Sequence, residues 1–178
     1  MNAGSCCFLM IITRSSSRTE EDIRMFVLDR IGAERFRRRT QEIMAAQPLF
    51  AWLGARVVAV GEATCEIELQ LREDFMNDRG TLQAAVLYAV LDAATFVASR
   101  TLAEDGKTTD FHQEMKINFI KAIRDHRQTI KARGRALHRG HTSAVVEGEV
   151  FSQDGGLVAK ALGTIAILKS RESGLRGE

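Results

Sequence analysis

The 178-residue sequence predicts an α+β fold in which an antiparallel sheet wraps around one long central helix. Three observations predict this arrangement. Residues 82–102 are rich in alanine and apolar on almost every face, which is typical of a helix that is buried on most sides. Alternating apolar and polar residues before and after that segment indicate strands. The later strands are joined by short connections, which favour antiparallel pairing because parallel neighbours need long crossovers.

The chain before the central helix divides into helical and extended parts. We expect residues 1–18 to be a disordered leader and residues 19–47 to form a helical segment, with Thr19 and Asp22 near a capping-box pattern at its start. After Pro48 the periodicity changes, and strands are predicted over Arg56–Val60 and Ala63–Leu71 with a hairpin turn between them.

Four more strands are predicted after the central helix. The last two are joined by the turn Asp154-Gly155-Gly156, a composition typical of a tight hairpin. We therefore place the sheet-and-helix domain at residues 48–169 and a flexible tail at 170–178. The predicted strands are Met115–Ala122, Thr129–Ala136, Thr142–Phe151 and Leu157–Leu168.

Composition excludes several classes of protein. A formal net charge of +2 is too small to indicate nucleic-acid binding by itself. No apolar run approaches the ~20 residues needed to cross a bilayer, and the leader lacks the charge pattern of a signal peptide. The three cysteines, Cys6, Cys7 and Cys65, have no zinc-site spacing and predict a reduced, cytoplasmic protein.

Asp92 is the unusual residue of the central helix. A narrow polar stripe lies along one face of this otherwise apolar segment, and no Lys or Arg lies between Gly80 and Arg100 to neutralise the carboxylate. A buried carboxylate is costly unless it is paired or functional. Asp92 is therefore either a reacting group or a structural Asp bonded to a neighbouring backbone group or hydroxyl. The stripe comprises Thr81, Tyr88, Asp92, Thr95 and Ser99.

The loop before the helix is a second candidate. An Asn-x-x-Gly sequence such as Asn77–Gly80 is usually only a turn. The loop is a candidate because it lies just before the helix, whose first N–H groups are unpaired and can stabilise an oxyanion. The small side chains of Ala84 and Ala85 would let a ligand approach that backbone.

Residues 77–92 resemble the signature of hotdog-fold thioesterases of the phenylacetate-pathway (PaaI) type. Asn77, Gly80 and Asp92 match that signature in identity and spacing, whereas Gln83-Ala84-Ala85 stands where the family has His-Gly-Gly. The resemblance extends from Phe50 to Leu168. It is carried further by residues 52–54, 115–121 and 150–167.

The resemblance implies a hotdog fold and an acyl-CoA thioesterase. In that reading Asp92 acts as general base or nucleophile, and Asn77, from the neighbouring subunit, positions water or the thioester carbonyl. The N–H of Ala84 holds the oxyanion, and Gln83 occupies the place of the family's His. The resemblance further implies a homodimer or homotetramer, with no metal and no redox cofactor, since CoA is part of the substrate.

His112 and a basic stretch complete the candidates. His112 precedes the third predicted strand, near the position where relatives carry a hydroxyl residue that orients water; otherwise it is an exposed loop residue. Basic residues between 121 and 139 either form the solvent face of a strand or attract the phosphates of CoA. Arg139-Gly140-His141-Thr142 resembles the family's turn near the nucleotide, so Lys121, Arg139, His141 and Thr142 are the candidate CoA contacts.

Two other functions remain possible on this sequence. A non-catalytic acyl-CoA-binding protein is favoured by the altered His-Gly-Gly and disfavoured by the presence of both Asn77 and Asp92. A hotdog dehydratase normally needs a catalytic His on or near the helix, where this chain has Gln83. We expect neither a nucleic acid nor a membrane as partner.

Overall fold

The computed structural model describes residues 32–103 and 108–169 of the chain. The expectations for residues 1–31, which include the leader and the first part of the helical segment 19–47, lie outside the described residues, as does the tail from Ser170. In chain order the elements are helices α1 (Ala33–Ala45) and α2 (Pro48–Leu53), strands β1 (Arg56–Gly61) and β2 (Thr64–Gln70), a 3-10 turn (Glu73–Phe75), helix α3 (Ala84–Arg100), and strands β3 (Thr108–Phe119), β4 (Thr129–Arg139), β5 (Ser143–Phe151) and β6 (Leu157–Lys169).

The six strands form one antiparallel sheet in the order β1-β2-β4-β5-β6-β3. The predicted α+β arrangement is confirmed, including the hairpins between β1 and β2 and between β5 and β6. Gly155 has a φ of 82°, a left-handed conformation that favours glycine in the second of these turns. On β4, Ile130 and Ala132 point into the core while Arg133 and Arg135 face solvent, as the alternation predicts.

Helix α3 packs across the inner face of the sheet, against β2, β4 and β5. Two glycines let it approach closely. A Cβ on Gly134 would lie 2.2 Å from the carbonyl oxygen of Ala94, and one on Gly148 would lie 2.7 Å from Leu91 Cδ2. The core is therefore formed by the apolar faces of α3 and the sheet, while the N-terminal end of α3 stays open, with Ala84 and Ala85 exposed.

Helix α1 covers the β1 edge of the sheet with side chains. Gln41 Oε1 accepts from the backbone N–H of Val57 at 2.7 Å, and Arg37 Nη1 donates to the carbonyl of Val57 at 3.0 Å. These bonds satisfy edge groups that would otherwise invite another strand. On the other side of the sheet, β3 pairs with β6 only, so its outer edge is free among the described residues.

The boundaries predicted for the third strand are wrong at both ends, since β3 begins seven residues before Met115 and ends three before Ala122. The reason is chemical. The inward positions of its first half hold Thr108, Asp110 and His112, which make polar contacts with α3 and its neighbours instead of filling an apolar core. The apolar alternation therefore begins only after the bulge between His112 and Glu114.

Within the described ranges, we find no helix of the length and hydropathy that a membrane span requires.

Candidate functional site

Asp92 lies at the middle of α3 and is bound by a residue of β3. His112 Nδ1 is 2.8 Å from Asp92 Oδ1, and the two side chains are 9% and 20% exposed. Among the described residues, no hydrogen bond or ion pair is made to the other carboxylate oxygen, Oδ2. The contact with His112 orients the Asp92 carboxylate and leaves its second oxygen without a partner among the described residues. His112 also supplies the polar partner that a carboxylate on a mostly apolar helix requires.

His112 is held at its second ring nitrogen as well. Its Nε2 lies 3.0 Å from Thr95 Oγ1, and Thr95 itself is fully buried. Thr95 is three residues after Asp92 and therefore lies on the same face of α3. The two contacts fix the plane of the imidazole between the helix and β3, with Phe96 at a ring-centroid distance of 6.4 Å. The interpretation of His112 as an exposed loop residue is wrong, because it lies within a strand and is largely buried.

The polar contacts continue along the helix toward its C-terminus. Arg139 Nη1 donates to Ser99 Oγ at 2.9 Å and to Asp110 Oδ2 at 2.8 Å, and Arg100 Nη1 reaches the same Oδ2 at 3.0 Å. We call these side chains together the polar seam between α3 and β3. The polar seam comprises Asp92, Thr95, Ser99 and Arg100 of α3, Thr108, Asp110 and His112 of β3, and Arg139 of β4.

The interpretation of Arg139 as a surface contact for CoA phosphates is contradicted by its place in the polar seam. Its side chain is only 8% exposed and its guanidinium is already paired with Asp110. Burial opposes ionisation of Asp110, but the charges of Arg100 and Arg139 outweigh it and hold the pKa of Asp110 below its usual value. Arg139 therefore serves the fold, and a phosphate would have to displace a buried carboxylate to reach it.

Tyr88 marks the open end of the same helix face. It lies one turn before Asp92 and is 43% exposed. Desolvation, and then the negative charges of Asp92 and Glu114, raise the pKa of the Tyr88 hydroxyl. The phenol is consequently neutral under ordinary conditions and can donate a hydrogen bond on the same face of the helix as Asp92.

Asn77 organises the loop in front of α3. Its Oδ1 accepts from the backbone N–H groups of Arg79 at 2.9 Å and Thr81 at 3.1 Å, and its Nδ2 donates to Thr81 Oγ1 at 2.8 Å. Gly80 completes the turn with a φ of 66°. The loop is a side-chain-stabilised turn, and one Nδ2 hydrogen of Asn77 is left for a ligand.

The N-terminus of α3 is uncapped. Gln83 is the N-cap, makes no side-chain capping bond, and is exposed together with Ala84 and Ala85. Among the described residues, the N–H groups of Ala84 and Ala85 have no acceptor, as expected for the first turn of a helix. Eight residues separate Ala84 from Asp92, so the two lie about 12 Å apart along the axis. A single carbonyl group therefore cannot contact both within one chain.

The candidate CoA contacts are not brought together. Lys121 follows β3, is half exposed, and pairs with Asp154 at 3.3 Å in the β5–β6 turn. His141 and Thr142 are exposed in the β4–β5 turn. These two turns lie at opposite ends of β5, which is nine residues long and therefore spans about 30 Å. Lys121 shares its end with the start of α3, because Leu82 N–H donates to the carbonyl of Ile123 at 2.8 Å.

In the described part of the chain, no three His, Cys, Asp or Glu side chains are grouped so that they could hold a metal ion. Cys65 is buried, and burial raises the pKa of its thiol, so it is not poised as a nucleophile.

Sequence reasoning did not assign a role to Thr95, Asp110 or Arg100 at the site. Thr95 carried a usable signal, since it belongs to the polar stripe of Asp92. The period-two series Thr108, Asp110, His112 carried another, because three polar residues on the inner face of a strand need partners across from them.

Comparisons with known proteins agree with the fold described above. Residues 79–159 match the profile of the thioesterase superfamily. A Saccharolobus solfataricus protein named "Putative esterase" is 31% identical over 128 residues, which cover 71% of this chain and 87% of the relative.

Solved structures share the fold. A conserved protein of Pseudomonas aeruginosa matches with a TM-score of 0.64 and 28% identity, over 71% of this chain and 98% of that chain. The PaaI protein from the phenylacetic acid degradation operon of E. coli matches with a TM-score of 0.66 and 14% identity, over 75% of this chain and 93% of that chain. The second likeness, at this identity, concerns the fold alone.

Proposed function

This chain belongs to the thioesterase superfamily and is a thioester hydrolase of the hotdog fold, and on that premise we propose that its substrate is an acyl-CoA and that Asp92 performs the chemistry. The observation that carries the proposal is the Asp92–His112 contact of 2.8 Å in the middle of α3, which binds one carboxylate oxygen and leaves the other open. An oriented carboxylate on one chain that faces the unpaired helix N-terminus of a second chain is suited to acyl transfer.

The reaction adds water across the thioester. With Asp92 as general base, Oδ2 takes a proton from water while the water oxygen bonds to the carbonyl carbon; the C–S bond then breaks, and the sulfur leaves with the proton. With Asp92 as nucleophile, Oδ2 itself bonds to the carbonyl carbon, the C–S bond breaks and CoA leaves as a thiolate. Water then hydrolyses the resulting anhydride to the carboxylic acid and free Asp92, and the proton released in that step goes to the thiolate. The products are the same, a carboxylic acid and CoA.

The oxyanion would be held by the N–H of Ala84, and Asn77 would position water or the carbonyl through its remaining Nδ2 hydrogen. The substitution of the family's His-Gly-Gly by Gln83-Ala84-Ala85 preserves this donor, because alanine has the same backbone N–H as glycine. Gln83 is exposed next to Ala84, where its side chain would contact a substrate bound at the helix N-terminus.

The separation of about 12 Å between Ala84 and Asp92 on one helix supports a site shared by two copies of the chain. In a two-fold dimer, Asp92 of one copy can face Ala84 of the other, and two equivalent sites result. The free edge of β3, with Phe119 and Ile120 exposed at its end, supports that side of the molecule as the interface.

CoA itself would be recognised outside the polar seam. Lys121 is our candidate for a phosphate contact, since it is exposed at the same end of the molecule as the α3 N-terminus. His141 and Thr142 lie at the other end of β5, so they could contribute only to a nucleotide bound across the dimer.

The test is thiol release from acyl-CoAs of different chain length and aromaticity by the wild-type protein and by Asp92→Asn. Asn keeps the shape and the contact with His112 but cannot accept the proton or attack. We expect turnover to fall about 10²- to 10⁴-fold, the range for loss of a general base, with the melting temperature unchanged. Equal turnover by the variant would overturn the role of Asp92. No turnover by the wild type, together with thermal stabilisation by CoA esters, would favour a binding protein.

A further inference from the structure

Thr95 holds His112 through a hydroxyl group that has only one proton to give. Thr95 Oγ1 lies 2.8 Å from the carbonyl oxygen of Leu91 and 3.0 Å from His112 Nε2. A buried helical threonine donates to the carbonyl four residues before it, and the Leu91 contact has that spacing and is the shorter one. The hydroxyl then has only its lone pairs to offer His112, so Nε2 must be the donor in that hydrogen bond.

We propose that Thr95 is a positioning residue that fixes a hydrogen on His112 Nε2, and so keeps Nδ1 against Asp92 Oδ1 and Oδ2 toward the substrate. Both ring nitrogens of His112 then carry a hydrogen, Nε2 donating to Thr95 Oγ1 and Nδ1 donating to the Asp92 carboxylate, which leaves Asp92 as the member of the pair that can accept a proton and meet the thioester. The kinetic part of this inference rests on the proposed function, whereas the assignment of the hydrogen on Nε2 does not.

The packing around Thr95 explains why its hydroxyl cannot turn elsewhere. Thr95 Cγ2 would lie 2.8 Å from a Cβ on Gly148, so the methyl group occupies the space that this glycine leaves open on β5. With the methyl directed at the sheet, Oγ1 is left on the side of β3. The branched side chain has few rotamers in a helix, and the bond to Leu91 stabilises this one.

The hydrogen on Nε2 can be observed directly by NMR of protein labelled with ¹⁵N-histidine. The chain has four histidines, and the His112 signals are identified by their loss in His112→Gln. We expect Nε2 of His112 to carry a hydrogen in the wild type. A wild-type spectrum with an unprotonated Nε2 would overturn the proposal, and this result does not depend on any substrate.

Two variants at Thr95 test its effect on turnover. Thr95→Val keeps the shape and removes the hydroxyl, and we expect kcat to fall about tenfold or more, because a small misplacement of a reacting group is costly, with KM within about twofold. Thr95→Ser keeps the hydroxyl and should recover most of kcat. Ser99→Ala is the matched control, since it removes a buried hydroxyl one turn further along α3 that does not contact His112.

Each kinetic outcome is decisive. Full kcat in Thr95→Val, or a loss in Thr95→Ser as large as in Thr95→Val, would contradict the positioning role. If Thr95→Val does not fold, the wild-type spectrum and the Thr95→Ser kinetics still decide. A wild type without turnover on any acyl-CoA would count against the proposed function, while the spectrum would still test the Nε2 assignment.

Discussion

Asp110 is the most deeply buried charged residue of the polar seam, with a side chain 1% exposed between two arginines. Its Oδ2 accepts from both Arg100 and Arg139, whereas its Oδ1 is buried without a hydrogen-bond partner among the described residues. Removing one member of such a cluster leaves the others charged and unpaired, which costs far more than the net value of the interaction.

We predict that Asp110→Asn lowers the free energy of unfolding by about 3–5 kcal/mol at neutral pH, because both guanidiniums lose their counter-charge. The effect should depend on pH. The folded-state pKa of Asp110 is held below its unfolded value, so its contribution is present above about pH 4 and is lost as the pH falls through the folded-state pKa.

Urea unfolding of the wild type and of Asp110→Asn, at neutral pH and at successively lower pH, measures this effect. The two curves should converge in acid, where the wild-type carboxyl is also neutral. A difference that stays constant with pH would mean that the carboxylate charge is not what stabilises this region. Asp154→Asn is a useful comparison, since Asp154 also has a lowered pKa but lies in an exposed turn.

The residues of the site were only partly predictable from sequence. Asp92 could be singled out because it is a lone carboxylate on an apolar helix, and Asn77 and Ala84 because of their place before and at its start. The contact between Asp92 and His112 could not be predicted from their spacing in the sequence. The bulge after His112 shifts the register of β3, and such an extra residue leaves no mark in the local alternation of apolar residues.

At the scale of elements, the position of α3 is set by glycines on the strands beneath it. Gly134 lies against the backbone of Ala94, and Gly148 lies against the side chains of Leu91 and Thr95. This close approach brings the Asp92 face of the helix level with the inner residues of β3. The helix itself was predictable from composition, whereas its depth in the sheet depends on these two residues of distant strands.

We predict that Gly134→Ala lowers the free energy of unfolding by about 3 kcal/mol, the upper end of the cost of overpacking, because the new Cβ would meet backbone atoms that cannot move aside. Gly148→Ala should cost less, about 1 kcal/mol, since side-chain atoms can shift by small rotations. Thermal or denaturant unfolding of both variants shows which substitution lowers the free energy of unfolding more. A smaller cost at Gly134 than at Gly148 would contradict this account of how α3 is seated.

At the scale of the whole molecule, the two edges of the sheet differ. Helix α1 occupies the β1 edge through Arg37 and Gln41, whereas the β3 edge has no covering element among the described residues. A second copy therefore has one edge available for pairing, and that edge belongs to the strand that carries His112. The family resemblance predicted a shared site, but the covering of β1 by the side chains of α1 has no sequence signature.

The shared site that we propose can be tested by trans-complementation between two variants that are each expected to be inactive. Asp92→Asn removes the proposed reacting group and leaves the helix N-terminus intact. Ala84→Pro removes the N–H at the first position of α3, where proline is tolerated, and the extended Gln83 is compatible with a following proline. Ala84→Gly retains the N–H and is the matched control, expected to keep turnover.

The most direct measurement is therefore the rate of thiol release from an acyl-CoA by the co-expressed mixture of Asp92→Asn and Ala84→Pro. If one copy supplies Asp92 and the other supplies Ala84, each mixed dimer has one intact site, and random pairing gives about a quarter of wild-type turnover. Each variant expressed alone should be inactive. A mixture of verified mixed dimers as inactive as its two components would contradict the account of a thioester held between two chains.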